Sequence, residues 1–576
     1  MANLRSEQKA SQRVSASDSV ETKAVELLLD CLEREGVGYV FGNPGTSEQG
    51  FMAALSMRPS LSYVLGLHET VAVAMAEGYA RATGVATFVN LHTSVGLANG
   101  LSQIHNAMVH RSPVVVTAGQ SESDQLLYEP SLSADTVAMA RQFTKWSYEL
   151  HSPSDIEQAI RRAFKVALDP PAGPVFLSLP IDLLEEPVPT GEIGAGHYSY
   201  ASLCPDAETL ARAVRLIVES KHLALLCGDD VGRCGALRQA VALAEITGAE
   251  VYSLNQSQLG FPNDHDQFIR TLNVNDPKTP DLLSRVDLAV IVGAPAFSQL
   301  LELESPLLPS DAAVIHIDES SWETGKNVTT TIGMASDLGL TLSALSEQVA
   351  AAFGEGERKR AQVRRTSLHE RKIVAEERQR ERTATAMSKK SLTSLALMTT
   401  VQRSLGANYI VVEEATSSAG ALSQAFQFSR EGSLFSNRGG ALGWALPAAT
   451  GIKLAHPEAT VVAVIGDGAA NYSIQALWTA AHYGIAVKVL ICNNREYRVL
   501  RTNLARFLPS FDAKALVGMD LIDPPIEFSQ LARAYGIYGN RFEGSPAQLP
   551  EVVDAWLQTD GPALLEVLVD LGAKGK

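Results

Sequence analysis

Residues 461–494 read VVAVIGDGAANYSIQALWTAAHYGIAVKVLICNN. The stretch divides into an apolar run, a Gly-Asp-Gly turn at 466–468, an amphipathic segment of about three helical turns and a second apolar run closing on Asn493-Asn494. That pattern is one βαβ unit. Its two strands point the same way, so Asp467 and Asn494 are expected to emerge as neighbours at the carboxyl edge of a parallel sheet, where open α/β sheets bind ligands. A carboxylate and an amide oxygen are hard donors suited to magnesium, which takes its other ligands from water and phosphates. Gly466 and Gly468 are expected to let the backbone approach an anion closely, and the N–H groups opening the following helix favour one. The segment therefore reads as a clamp for a metal-bound diphosphate. A lone Gly-Asp-Gly is usually an ordinary turn, so the weight rests on the downstream Asn-Asn.

Outward from this unit, the same rhythm fills the chain. From Val20 to about Thr190, β-rich runs (YVFG, YVLGL, ATFVNL, PVVVTAG, PVFLSLP) alternate with amphipathic stretches such as ETVAVAMAEGYARAT, the signature of an α/β domain on a parallel sheet. After a Pro/Gly-containing stretch, LALLCGDD, EVYSLN, DLAVIVGAP and AVIHID predict a second α/β domain over 205–352. Residues 353–390 are a mixed-charge run with helical propensity, read as a partly helical linker. YIVVEEA, TVVAVIGDG, AVKVLICNN and ALLEVLVD predict a third domain over 391–576. Residues 1–19 are polar, Ser-rich and without an apolar core, read as a disordered tail rather than a secretory signal.

Composition narrows the classes. The net charge of -16 argues against a nucleic-acid binder, which would present a basic face. Five cysteines (Cys31, Cys204, Cys227, Cys234, Cys492) form no CxxC pair, which suggests neither a disulfide framework nor a zinc site and fits a reducing cytoplasm. No apolar run approaches the roughly 18 residues of a membrane span.

Gly-Asp-Gly, 24 intervening residues and then Asn-Asn resembles the signature of thiamine diphosphate-dependent enzymes. Further stretches resemble the benzoylformate decarboxylase branch of that family: FGNPGTSEQGF, LHETVAVAMAEGYARAT, FVNLHTSVGLANGL, RSPVVVTAGQ, KWSYE, GPVFLSLP and GGALGWALPAA. The likeness runs from about Val20 onward, is weakest in the middle domain and after Asn494, and extends to acetolactate synthase large subunits. It implies three α/β domains of open parallel sheets flanked by helices: one binding the cofactor's pyrimidine, a middle domain, and one binding its diphosphate with Mg2+.

The resemblance also implies roles. Asp467, Asn494 and the backbone oxygen of Glu496 would ligate magnesium, and Gly466, Gly468 and Ala469 would flank the diphosphate. Glu69, after a strand and in the first turn of a helix, would activate the cofactor by hydrogen bonding its aminopyrimidine, although in isolation it reads as a helix-dipole carboxylate. Leu442 would support the bent cofactor and the Gly440 carbonyl would accept from its amine; taken alone they are a Gly-rich turn plus core. Thr46 and His92 would line the reaction pocket, one orienting a carboxylate and the other relaying a proton. His68, His105 and His110 read as rim or structural residues, and Gln120 as a weak extra candidate.

The implied reaction is non-oxidative decarboxylation of a 2-keto acid to an aldehyde through an enamine. The implied assembly is a homodimer or homotetramer with shared active sites. The sequence departs from the branch in two places. The stretch GAPAFSQLLELESP lacks the histidine expected after the Gly-Ala-Pro turn, and NNREYRVLRTNLARF is bulkier and more basic than expected. Arg495, Arg498 and Arg501 are either anion-binding or surface charges. These departures keep open a carboligase or lyase of the acetolactate synthase or 2-hydroxyacyl-coenzyme A lyase type, and, from another class, a non-catalytic cofactor-binding regulatory protein. The middle domain has no GxGxxG fingerprint, so no flavin is expected.

Overall fold

The computed structural model describes residues 21–189, 202–254, 257–274, 276, 278–298, 306–508, 510–511 and 516–570; the expected tail at 1–19 lies outside them. Three six-stranded, wholly parallel sheets carry the fold. The first runs, in spatial order, Ser62–Leu65, Tyr39–Gly42, Thr87–Leu91, Val114–Gln120, Val175–Pro180 and Trp146–Glu149. The third runs Leu434–Ser436, Tyr409–Glu414, Thr460–Gly466, Lys488–Asn493, Ala563–Leu568 and Tyr538–Phe542. Numbered along the chain within each sheet, both orders are 2-1-3-4-6-5. The central strands are β-branched and aliphatic and buried along their length, as a sheet covered on both faces requires.

The middle sheet runs Phe268–Leu272, Glu250–Leu254, Leu223–Cys227, Leu288–Val292, Ala313–Asp318 and Ile332–Ala335. Its order, 3-2-1-4-5-6, is that of dinucleotide-binding sheets. At its carboxyl edge the Arg111 guanidinium, from the first domain, is buried between Asp230 (2.5 Å) and Asp318 (3.0 Å).

The matching topologies of the first and third sheets explain how those domains meet. In each, the helix following the second strand packs against its counterpart: Glu69–Thr83 crosses Ala445–Ala455. Glycines permit the close crossing, since a Cβ on Gly78 would fall 2.7 Å from Ala448 Cα. One hydrophobic core runs through both sheets and this helix pair, including Met75, Ala76, Ala448, Ala449 and Ile452. A second core joins the middle domain to the third, from Leu225 and Val290 to Leu397 and Trp556.

The charged stretch after the middle domain forms one helix, Glu355–Met387, in which Ala361, Leu368 and Ala386 are buried. Among the described residues no helix is long and apolar enough to cross a membrane.

Candidate functional site

The two related sheets each present a carboxyl edge. In the third domain, Thr460–Gly466 and Lys488–Asn493 pair in parallel with Gly466 opposite Cys492, so Asp467 and Asn494 leave adjacent strand ends. They share a narrow cleft of about 70 Å³ with Gly466, Gly468, Ala469 and Leu442. Asp467 is 3% exposed, and its Oδ2 accepts from the Arg495 N–H at 2.7 Å. Burial raises its carboxyl to about 6, against the backbone donors of Gly468 and Arg495 that pull it down. Asn494 Oδ1 accepts from the Glu496 N–H at 3.0 Å, and Arg495 between them takes a left-handed φ of 59°.

This donor set fits a hard divalent cation. A buried carboxylate whose ionisation is disfavoured gains from a neighbouring positive charge, and an amide oxygen and backbone carbonyls complete an oxygen-only set. The Glu496 carbonyl already accepts from the Arg498 N–H at 2.9 Å, which leaves its second lone pair. Among the described residues no three His, Cys, Asp or Glu side chains converge as a metal cage, so carbonyl and amide oxygens would have to supply most of the coordination.

The two glycines of the turn play unequal parts. A Cβ on Gly468 would fall 2.7 Å from the Tyr497 ring, whereas one on Gly466 meets nothing nearer than 3.8 Å. At Gly468 the missing side chain makes room for Tyr497.

The basic segment after the clamp also resolves. Arg498 Nη1 meets Glu496 Oε1 at 2.6 Å, Arg501 Nε meets Glu496 Oε2 at 2.9 Å, and Arg501 Nη2 meets Asp520 at 2.6 Å. Two of the three arginines thus turn onto acidic side chains rather than outward.

The opposite wall of the cleft is Ala415–Ser418, directly after the strand Tyr409–Glu414. Sequence reasoning passed over Thr416 and Ser417; the signal was a hydroxyl pair in EEATSS at a strand's carboxyl end. Glu414 organises the Gly-rich loop beside it, accepting from Asn437 Nδ2 (3.1 Å) and from the N–H groups of Trp444 (3.3 Å) and Ala445 (3.0 Å). Burial pushes its carboxyl up to about 7. The first domain's helix Thr93–Val109 holds the same loop: Gln103 Nε2 donates to Leu442 O (3.3 Å), Asn106 Nδ2 to Ala441 O (2.9 Å), and His105 Nε2 meets Gly439 O (3.1 Å). Gly440 sits exposed at φ 84°.

The corresponding edge of the first domain gathers the other candidates. Glu69, 7% exposed, opens its helix, and its Oε2 accepts from Asn99 Nδ2 at 3.0 Å. Gly96 separates it from His92: a Cβ there would lie 3.1 Å from Glu69 Oε1 and 3.5 Å from His92 Cβ. His92 Nδ1 meets the buried Glu48 Oε2 at 2.9 Å and Ser47 Oγ at 3.1 Å, while Ser47 Oγ donates to Glu48 Oε1 at 2.6 Å. A carboxylate accepts only, so the His92 proton sits on Nδ1 and Nε2 is the acceptor. Glu48 and Ser47 were missed; their signal, an acid two residues past Thr46, is too common to stand out. Thr46 is exposed at the start of the same short turn. Gln120 faces away from this cluster, donating to Ala134 O (2.9 Å) and Glu149 Oε2 (3.3 Å).

His68, His110 and His316 are held in the packing of the fold. His68 caps the Glu69 helix by accepting from the Thr70 N–H. His110 is buried against Glu77 Oε1 at 2.9 Å, and Glu77 also accepts from Ser112 (2.7 Å) and from Trp444 Nε1 (2.5 Å). Burial works against the Glu77 charge, but Arg81 and His110 outweigh it and hold the carboxyl at about 2; burial and Arg81 hold His110 at about 4. In the middle domain, His316 spends both nitrogens on backbone, Nε2 on Ala294 O (3.0 Å) and Nδ1 on the Gly325 N–H (3.1 Å). It cannot replace the absent histidine of GAPAFSQLLELESP, of which residues 299–305 lie outside the described residues.

Comparison with known proteins agrees with this architecture. Residues 22–140, 210–345 and 395–567 match the N-terminal TPP binding, central and C-terminal TPP binding domains of thiamine pyrophosphate enzymes. The chain is 32% identical to benzoylformate decarboxylase of Pseudomonas aeruginosa, over 93% of this chain and 97% of that protein. It is 27% identical to the chloroplastic acetolactate synthase of Arabidopsis thaliana, over 95% of this chain and 81% of that one. Among solved structures, the thiamine diphosphate-dependent 4-hydroxybenzoylformate decarboxylase of Rhodococcus jostii matches with a TM-score of 0.84 at 30% identity, over 96% of this chain and 100% of that one. Benzoylformate decarboxylase of Polynucleobacter necessarius matches with a TM-score of 0.83 at 26% identity and the same coverage.

Proposed function

The chain belongs to the thiamine pyrophosphate enzymes, and we propose that within them it decarboxylates a 2-keto acid of the benzoylformate type, releasing carbon dioxide and an aldehyde. The observation that carries this reading is the pair of edges built on one topology: a cation-seeking Asp467–Asn494 cleft on one, and Glu69 beside an oriented His92 on the other.

In this reading Asp467, Asn494 Oδ1 and the Glu496 carbonyl hold Mg2+, and Gly466, Gly468, Ala469, Thr416 and Ser417 surround the diphosphate. Leu442 supports the cofactor's central bend, with the Gly440 carbonyl as an acceptor beside it. Bound thiamine diphosphate supplies a carbon nucleophile and an electron sink. Glu69, with Oε2 tied to Asn99, shares a proton through its other oxygen. His92, engaged at Nδ1, moves a proton through Nε2. The Thr46 hydroxyl orients the substrate carboxylate.

Glu69 does not line the clamp cleft of its own chain. This supports a site completed between two copies, in a homodimer or homotetramer. All five cysteines are free thiols, which supports a cytoplasmic location.

The test is product analysis by mass spectrometry. The protein is incubated with thiamine diphosphate, Mg2+ and a keto-acid panel including benzoylformate and pyruvate, with and without acceptor aldehydes, and separately with a 2-hydroxyacyl-coenzyme A. Aldehyde release without acceptor is expected. Hydroxyketone formation in its place would move the assignment to a carboligase like the acetolactate synthase relatives, and turnover only of a 2-hydroxyacyl-coenzyme A would move it to a lyase. Cofactor binding with no turnover of any of these would refute catalysis.

A further inference from the structure

A second cleft opens at the amino ends of the middle strands, where the helix Glu355–Met387 crosses them. Its volume is about 470 Å³, within the range of small-molecule sites. None of its lining residues belongs to the clamp cleft or to the Glu69 edge.

The cleft is preformed. Gly248 ends the helix Leu237–Thr247 at φ 67°, and a Cβ there would fall 3.0 Å from Ala361 Cα. The crossing helix is therefore seated on that turn without slack, which fixes the wall made by Arg364, Ser367, Leu368 and Arg371.

Its charges do not cancel. Glu250 is fully engaged, its Oε1 accepting from Arg371 Nη1 at 2.6 Å and its Oε2 from the Tyr252 hydroxyl at 2.9 Å. Arg285 and Arg364 make no ion pair with any described residue. Arg364 donates through Nη2 to the Thr247 carbonyl, while its Nε is buried without a hydrogen-bond partner. An unpaired buried guanidinium N–H is costly. Burial and the neighbouring Arg360 push this guanidinium below its ordinary range, only partly offset by Asp287. Among the residues lining the cleft, three arginines against Glu250 and the exposed Asp281 leave one positive charge; Asp287 lies outside the lining and is taken up by Ser220 and the Lys221 and His222 N–H groups. His222, Ser284 and Ser367 add polar groups, and the apolar part of the lining comes from Leu223, Ile269, Leu282 and Leu368.

We propose that this cleft binds a small organic monoanion: a carboxylate held by Arg285 and Arg364, joined to an aromatic or branched apolar body lying against Ile269, Leu282 and Leu368. The site is independent of the cofactor edge. Its occupant bridges the middle sheet and the helix that leads to the third domain.

The experiment is isothermal titration of the full-length protein, loaded with thiamine diphosphate and Mg2+, with benzoate and with 4-methylpentanoate. The variants are Arg285→Ala and Ser367→Trp, both at exposed positions; the first removes a rim charge and the second fills the mouth. At least one probe is expected to bind once per chain, about tenfold more weakly in Arg285→Ala, and weakly or not at all in Ser367→Trp. Melting temperature and cofactor affinity stay unchanged, and weakening in either variant supports the site. Binding undiminished in both variants, or no binding of either probe to the unaltered protein up to about 10 mM, overturns it.

Discussion

Gly451→Ala adds one methyl group where the helices Glu69–Thr83 and Ala445–Ala455 cross. The new Cβ would run into the Met75 carbonyl oxygen and stand 2.9 Å from the Met75 carbonyl carbon and 3.1 Å from the Tyr79 nitrogen, against ordinary contact from 3.4 Å. All three obstacles are helical backbone, so no rotamer relieves the clash and the helices must part by about an ångström or more, enough to forfeit about half of the dispersion well at each facing pair. Overpacking of this kind costs about 1–3 kcal/mol, and rigid obstacles place it near the upper end. The better helix propensity of alanine returns about 1 kcal/mol, leaving about 2 kcal/mol net. For a cooperative unit of this size the melting temperature should fall by about 4–8 °C. Gly420→Ala is the matched control, an exposed helical glycine with nothing within 4 Å of its Cβ; it should melt at or slightly above the unaltered protein. Differential scanning calorimetry of the two variants decides. If Gly451→Ala melts no lower than Gly420→Ala, the steric reasoning is wrong. Because Glu69 opens one of the parted helices, turnover should fall further than stability alone accounts for.

Glu69→Gln should keep thiamine diphosphate affinity, measured by fluorescence quenching, while losing most turnover; full turnover would remove Glu69 from cofactor activation. For Asp467, burial lifts the cation-free carboxyl from 3.8 to about 6, so its stabilising contribution is present at low pH and lost as pH rises through 6, a loss a bound cation reverses. Magnesium, added with thiamine diphosphate, should therefore raise the melting temperature more at pH 8 than at pH 5, and Asp467→Ala should abolish the magnesium effect; an equal effect in the variant would place the cation elsewhere. The Glu77–His110 pair acts in the opposite sense. Glu77 is held at about 2 against an ordinary 4.5, so its stabilisation is present above 4.5 and lost as pH falls toward 2; His110, held at about 4 against 6.5, withdraws stability as pH falls from 6.5 to 4. Urea unfolding from pH 7 to 4 should show a falling midpoint, set in this window mainly by His110, that His110→Gln flattens, while Glu77→Gln lowers stability at pH 7 without flattening it; a flat profile in the unaltered protein would contradict the pair's role.

The local pattern of residues was enough to determine the three-sheet α/β architecture and the meeting of Asp467 with Asn494. Strand periodicity and the single direction of a βαβ unit are properties of a few dozen consecutive residues, and they force two strand ends into register whatever the rest of the chain does. The position of Glu69 after a strand was equally legible. Tertiary structure alone decided what those residues touch. Trp444 reaches Glu77 across 367 positions, Arg498 and Arg501 turn onto Glu496 and Asp520, Glu48 fixes the proton on His92, and Gly468 makes room for Tyr497. The shared 2-1-3-4-6-5 order, which makes the two carboxyl edges counterparts and lets their helices cross at Gly78 and Gly451, leaves no trace in spacing either. Such partnerships are set by how layers pack, and packing depends on shape and burial summed over distant segments.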